Sequence, residues 1–443
     1  MQARLRSAAA PDHVDGLRNH RRFFWWMLPV ALLGAAVWSF TLWRGPRARG
    51  PLPSEVYVWQ RAWTPSVRAA LADHATNFSQ IVGLRAEIVW QKNRAPQLTR
   101  AQVNFATLRA LPTPVGLALR IGAHPGPFTN DATGTFIADT ARWIVEEAQT
   151  NGLTLSELQI DFDCATAKLD GYRVWLQAIQ QRVAPTPVTI TALPTWLRSP
   201  AFKRLAAQSP NYVLQVHSVA RPRSIAAPFA LCDPAAARRA VERAGRLGIP
   251  FRVALPTYGY TLAFADDGKF LGLSAEGPRP NWPANARLRE VNSDPQEMAA
   301  LVQDWTANRP AALRGLIWFR LPIGADNFNW RWPTLSAILE ARQPVEKFGG
   351  RAQRVATNLV ELALTNDGEL EVLAPWTITA RWAGARLIAG DAQRGFTLAE
   401  RRPDTAKFVS QGPPVRLRVG EQRTIGWLRF DQDCEVHCEV FKR

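Results

Sequence analysis

Short apolar runs alternate with longer amphipathic stretches from residue 55 to about residue 340. The runs are "VYVWQ" from Val56, "AEIVWQ" from Ala86, "VGLALRIG" from Val115, "LQIDFD" from Leu158, "VTITAL" from Val188, "YVLQVHSV" from Tyr212, "FRVALPTYG" from Phe251 and "GLIWFRLP" from Gly315. Each is short, with many β-branched and aromatic residues, as a buried strand requires. Between them lie helical patterns such as "TGTFIADTARWIVEEAQTNGL" and "DPAAARRAVERAGRLG", several opening on Asp and closing near Gly. Eight strand-then-helix units over about 290 residues predict an α/β fold, a (β/α)8 TIM barrel over 55–345, rather than an open doubly wound sheet. No Gly-rich phosphate loop follows the first strand, which argues against a dinucleotide-binding fold. The long connection after the seventh strand predicts a small β-rich insertion at about 263–294, on the face where a binding cleft forms. Over 346–443 the pattern becomes short alternating strands with turn residues between them, which predicts a β-sandwich.

A different pattern precedes the barrel. The run "FFWWMLPVALLGAAVWSFTLW", 23–43, carries no charge over 21 residues, enough to cross a bilayer as a helix. Trp25, Trp26, Trp38 and Trp43 lie towards its ends, where indole rings favour the membrane interface. It is longer than the apolar region of a cleaved signal peptide, so an uncleaved anchor is the preferred reading. More arginines precede the run than follow it, which places 1–22 in the cytoplasm. Beyond a Pro/Gly/Arg linker at 44–54, the bulk of the chain is then periplasmic, held at a bacterial inner membrane.

The net charge of +17 raises the question of nucleic acid. Residues 1–50 hold +6 of it, and the rest is spread over nearly four hundred residues with no basic cluster interleaved with aromatics. Nucleic acid is therefore not expected as a partner. No motif calls for a cofactor, and the spacing of Cys164, Cys232, Cys434 and Cys438 matches no zinc site. In an exported chain an even number of cysteines points to disulfides. Cys164 and Cys232, both expected near the barrel mouth, are the predicted pair.

Alternation along "LQIDFD" puts Gln159, Asp161 and Asp163 on one face of the fourth strand, with the two aspartates at its C-terminal tip. Burying two carboxylates so close together is costly, so such a tip is expected to open into a cleft. Other strand ends bring Trp59, Gln91, Arg120, Gln215, His217, Tyr258, Tyr260, Trp318 and Arg320 to the same mouth. Aromatic faces suit the C–H faces of a sugar, and carboxylates and amides suit its hydroxyls.

Four of these segments resemble the chitinase-like, family-18 glycoside hydrolases. "LQIDFDCA" resembles their Asp-rich fourth-strand motif, and "VALPTYGYTLAF" is similar to their seventh-strand segment. "GLIWFRLP" resembles their eighth strand, which implies Trp318 as a cleft-floor residue, and "LRIGAHPG" is similar to their third. The chain also resembles an uncharacterised bacterial barrel family with the "DFD" strand. Two departures matter. The general acid of the chitinase-like motif is a glutamate two residues beyond the second aspartate, where this chain has Ala165. The sixth-strand Met-x-Tyr-Asp motif is here Gln215-Val216-His217-Ser218. The substrate-assisted mechanism of that family does not transfer directly.

Two functions are therefore expected of the mouth. In the first, Asp163 is the acid of a glycoside-hydrolase-like enzyme acting on a polysaccharide, and Asp161, or another carboxylate such as Asp326, is base or stabiliser. In the second, the barrel binds a glycan or assists polysaccharide assembly without cleaving it.

Overall fold

The computed structural model describes residues 45–443 except 91–94, 125, 127, 129–131, 219–221, 223 and 276–279. The membrane helix expected over 23–43 lies outside the described residues, as does Gln91. Among the described residues, no helix is long and apolar enough to cross a membrane.

Eight parallel strands close into a barrel: Ser54–Val58, Gln80–Val89, Val115–Ile121, Leu158–Phe162, Val188–Ala192, Tyr212–Gln215, Phe251–Pro256 and Leu313–Phe319. Each pairs with the next in chain order, and the first pairs with both the second and the eighth, which closes the ring. All eight expected strands form, although the second starts at Gln80 rather than Ala86. Its early half carries Gly83 and a buried Arg85, whose guanidinium is held by Glu147 on the helix Ala132–Thr150; a charge there disguises the strand. Alternate residues serve two cores. Val58, Ile160, Ile190 and Leu214 pack against the helix layer, while Tyr57, Val82, Leu84, Ala118 and Ile317 fill the barrel. Burial on both faces is why these strands read as continuous apolar runs.

The Asp-Pro pairs start helices as expected. Asp233 accepts from the backbone N–H groups of Ala235 and Ala236, and Asp294 from those of Gln296 and Glu297, which caps Pro234–Gly245 and Pro295–Ala307. The insertion after the seventh strand is a three-stranded antiparallel sheet, with Gly259–Phe264 between Phe270–Ser274 and Arg287–Asn292. At Gly259 a Cβ would meet the Asn292 side chain and the Val291 carbonyl, so only glycine lets the insertion turn this tightly away from the barrel. The C-terminal region forms two four-stranded antiparallel sheets and a two-stranded ribbon around a core that includes Trp376, Ile378, Phe408 and Phe430. Arg342, just beyond the last barrel helix, bonds both carboxylate oxygens of Glu369 at 2.6 Å and ties this region to the barrel.

The disulfide expected between Cys164 and Cys232 is not present: all four cysteines are free. Cys164 has the opposite parity to Asp163, so it packs into the helix-layer core rather than across the mouth, and its carbonyl accepts from the Trp196 indole at 3.2 Å. Cys232 is buried in the same layer, directly before the helix cap Asp233. Both thiols should resist a thiol reagent in the native protein and react fully after denaturation. Peptide mapping that finds them cross-linked would contradict this packing.

Candidate active site

The fourth strand builds the site from the inside outwards. Counting by two from Glu157 through Gln159 and Asp161 to Asp163 climbs one face of the strand, from mid-barrel to the C-terminal mouth. Glu157 is buried, and both its oxygens bond Arg252 of the seventh strand, at 3.0 and 2.8 Å. Arg252 also holds Glu55 of the first strand. Thr189 and Gln80 each donate to Glu157 at 2.6 Å, Gln159 donates to it at 2.5 Å, and Tyr57 donates to Gln159 at 2.6 Å. Burial opposes ionisation of Glu157, but Arg252 and these donors outweigh it and hold the carboxyl below its usual range. Glu55 has no such set of donors, and burial pushes its carboxyl up to about 7. One guanidinium between two carboxylates thus forms a rigid polar floor.

Above this floor opens a cavity of about 450 Å³. Asp161 and Asp163 line it, as do Trp59, Arg120, Gln215, His217, Tyr258, Tyr260 and Arg320. The structure therefore brings together nine of the eleven residues expected at the mouth, and Gln91 lies outside the described residues. Trp318 is a correction. Alternation along the eighth strand turns Ile317 and Phe319 inwards and Trp318 outwards, where it packs on Trp330 and donates to Ser54 at 3.4 Å. Phe319 takes the cleft position instead, with ring centroids 5.3 Å from Trp59, 5.2 Å from Tyr258 and 5.4 Å from His217. Asp326 is a second correction, because it is paired with the buried Arg320 and accepts from the Phe328 backbone N–H. It serves the eighth-strand turn and is not a free base.

The two aspartates differ in their surroundings. Asp161 accepts from the Thr191 hydroxyl at 2.8 Å and lies 3.9 Å from Arg120. Arg120 in turn lies 3.8 Å from Glu87, which Arg61 holds at 2.7 Å, so charges of alternating sign run along this wall. Asp163 stands at the rim, and among the described residues its carboxyl has no hydrogen bond or ion pair. Burial raises both carboxyls, the charge of Asp161 adds to it at Asp163, and Arg120 opposes it at both, which leaves Asp163 at about 6. Asp161 has a hydroxyl donor and a guanidinium close by to steady its charge, so when the pair shares one proton Asp163 is the one to carry it. Ala165 is exposed on the turn beyond, where the chitinase-like motif has its glutamate.

On the cavity wall the Trp59 indole nitrogen and His217 Nδ1 are buried with no partner among the described residues. Burial pushes the His217 pKa down to about 3, so its ring is neutral. Ser218, at φ 53°, lines the same wall as Tyr258 and Tyr260, and its backbone N–H donates to the Leu231 carbonyl at 2.7 Å. Tyr57, Arg61, Glu87, Thr191 and Phe319 were not anticipated from the sequence. Glu87 was within reach, since it shares the face of Gln91 by alternation.

Residues 126–324 match the model of a family described as a domain of unknown function (DUF3142), and residues 350–431 match a second so described (DUF8456). No curated protein matches the chain in sequence. Among solved structures, the spore cortex-lytic enzyme SleL of Bacillus megaterium aligns at 14% identity over 67% of this chain and 75% of that one, with a TM-score of 0.46. SleL of Bacillus cereus aligns at 12% identity over 67% and 75%, with a TM-score of 0.47. A chitinase from Chromobacterium violaceum aligns at 14% identity over 66% and 98%, with a TM-score of 0.45. The resemblance to a family of unassigned function stands.

Proposed function

We propose that this is a membrane-anchored, extracytoplasmic, glycoside-hydrolase-like barrel that cleaves a polysaccharide held in the mouth cavity. The observation that carries this reading is the pair Asp161 and Asp163 on one aromatic-walled cavity, with the Asp163 carboxyl unpaired among the described residues at its lip. Trp59, Tyr258 and Phe319 offer stacking faces for a sugar, and the unpartnered atoms of Trp59 and His217 offer bonds to its hydroxyls. Protonated Asp163 gives its proton to the glycosidic oxygen as the bond to the anomeric carbon breaks. The Asp161 carboxylate stabilises the positive charge that develops there. Water then supplies the new hydroxyl, and its second proton restores Asp163.

One observation favours a second reading. With Ala165 beyond Asp163, a single unpaired carboxyl marks this lip, which suits a barrel that binds a glycan without cleaving it. A polysaccharide panel assayed for both reducing-end release and binding separates the two. The hydrolase reading expects turnover on at least one polymer, with Trp59→Ala weakening its binding by about 1–3 kcal/mol through lost stacking and its hydrogen bond. Binding without turnover across the panel would establish the second reading, and neither binding nor turnover would remove the cavity as a glycan site.

A further inference from the structure

We infer that the cleft takes a polymer whose sugars carry carboxylates, and that Arg120 is the residue that selects it. The inference rests on the glycan reading above and adds the chemical class of the substrate. Two observations carry it: a guanidinium on the cavity wall that the protein itself does not use, and a wall whose positive charges stand forward of its negative ones.

Glu87, Arg120 and Asp161 are register partners on the second, third and fourth strands, so they form one tier of the barrel wall. Neighbouring strands lie about 4.8 Å apart, and arginine is much the longest of the three side chains, so Arg120 reaches past the carboxylates that flank it. Its nitrogens come no closer than 3.8 Å to Glu87 and 3.9 Å to Asp161. Both distances are too long for a hydrogen bond, and among the described residues the Arg120 guanidinium makes none. The N–H donors of its planar fork are left for whatever enters the cavity that Arg120 lines.

Exposure on this wall divides by sign. The side chains of Arg61 and Arg120 are 53% and 46% exposed, and those of Glu87 and Asp161 are 10% and 16% exposed. Arg61 donates to both oxygens of Glu87, at 2.7 and 3.1 Å, and covers that carboxylate from the cavity side. Asp161 is likewise recessed and already accepts from Thr191. The third cation of the cavity, Arg320, is buried against Asp326 and takes no part. Asp163 is the exposed acid at the rim, and as the proton donor of the proposed reaction it is uncharged when the polymer binds. A sugar entering along the third strand therefore meets guanidinium first. The guanidinium fork matches the two oxygens of a carboxylate, and such charge-assisted bonds are roughly twice as strong as bonds to a sugar hydroxyl. Arg120 is also near enough to Asp163 to act on its charge, so a carboxylate seated on Arg120 offsets that effect and favours the protonated Asp163 that the reaction needs.

The test measures binding and turnover by the full chain on oligomers of polygalacturonate, alginate and hyaluronan, each beside its methyl-esterified form, and on neutral β-glucan and chitin oligomers. The expected result is that at least one acidic oligomer is bound and that its methyl ester binds about tenfold or more weaker. Arg120→Gln should weaken the acidic form by a similar factor and leave the ester unchanged, so that the two losses do not add. Arg351→Gln, at an exposed arginine of the C-terminal region, serves as the control for general attraction to a basic chain and should change neither. Neutral or esterified oligomers bound as tightly as the acidic ones overturn the substrate class and leave the cavity standing as a glycan site; this comparison needs only the unaltered protein. Acidic binding that falls no more in Arg120→Gln than in Arg351→Gln overturns the selecting role of Arg120. Neither binding nor turnover on any oligomer removes the glycan reading and this inference with it.

Discussion

Replacing Arg252 by methionine is expected to cost about 3–5 kcal/mol of folding stability at pH 7, because it strips two buried carboxylates of the cation they share. The whole stability of a domain is about 5–15 kcal/mol, so this is a large fraction of it. Glu55 and Glu157 are 8% and 5% exposed, and neither can turn to solvent. The loss should depend on pH with a definite sign. Glu55 is raised to about 7 in the folded state, so its ionisation costs stability as pH rises from the ordinary carboxylate range through 7. Glu157 is lowered, so its contribution is present above the ordinary range and is lost as pH falls below it. The native protein is thus most stable with respect to this cluster near the ordinary carboxylate range, and Glu55→Gln should flatten the decline between about pH 4.5 and 7. Denaturant unfolding across pH checks both points. Adding Glu55→Gln and Glu157→Gln to Arg252→Met should restore most of the loss, and a variant still as unstable with all three changes would mean that packing, not charge, sets the floor.

Asp163→Asn is expected to lower kcat about 10²–10⁴-fold on a cleaved polymer while leaving its affinity nearly unchanged, since a proton donor acts in the transition state. The same substitution should not lower the melting temperature at pH 7. A raised carboxyl is one whose ionised form the fold disfavours, so removing it relieves the folded state above its pKa. Asp161→Asn should differ, because it turns the charge-assisted bond from Thr191 into a neutral one and removes one of the two carboxylates near Arg120. A melting temperature that falls in step with activity in both variants would mark the pair as structural.

The barrel was legible because each of its strands is apolar on both faces and each Asp-Pro helix start announces its own cap. The aspartate pair was legible for a related reason: alternation counted along a single strand needs no knowledge of its neighbours. What stayed hidden was polar chemistry set inside apolar runs. Glu55, Tyr57 and Arg252 sit within or beside strands that read as core, and only closure of the barrel shows that they face one another. Trp318 shows the opposite failure. Counting from Gly315 puts Phe319 in the cleft, but resemblance to a family whose eighth strand ends in a cleft tryptophan outweighed the alternation. Cys164 failed in the same way, since one residue of parity separates the mouth from the helix layer. The backbone pattern fixes which face a side chain takes, and the partners across the barrel come only with the fold.

The most direct test of the central claim is the pH dependence of kcat/KM for wild-type protein beside Asp163→Asn on a polymer that the wild type cleaves. If Asp163 is the proton donor, wild-type activity falls tenfold per pH unit above a limb near 6, and the residual activity of Asp163→Asn lacks that limb. A wild-type profile that stays flat from pH 5 to 8, or a limb near 6 that persists in Asp163→Asn, would contradict the account.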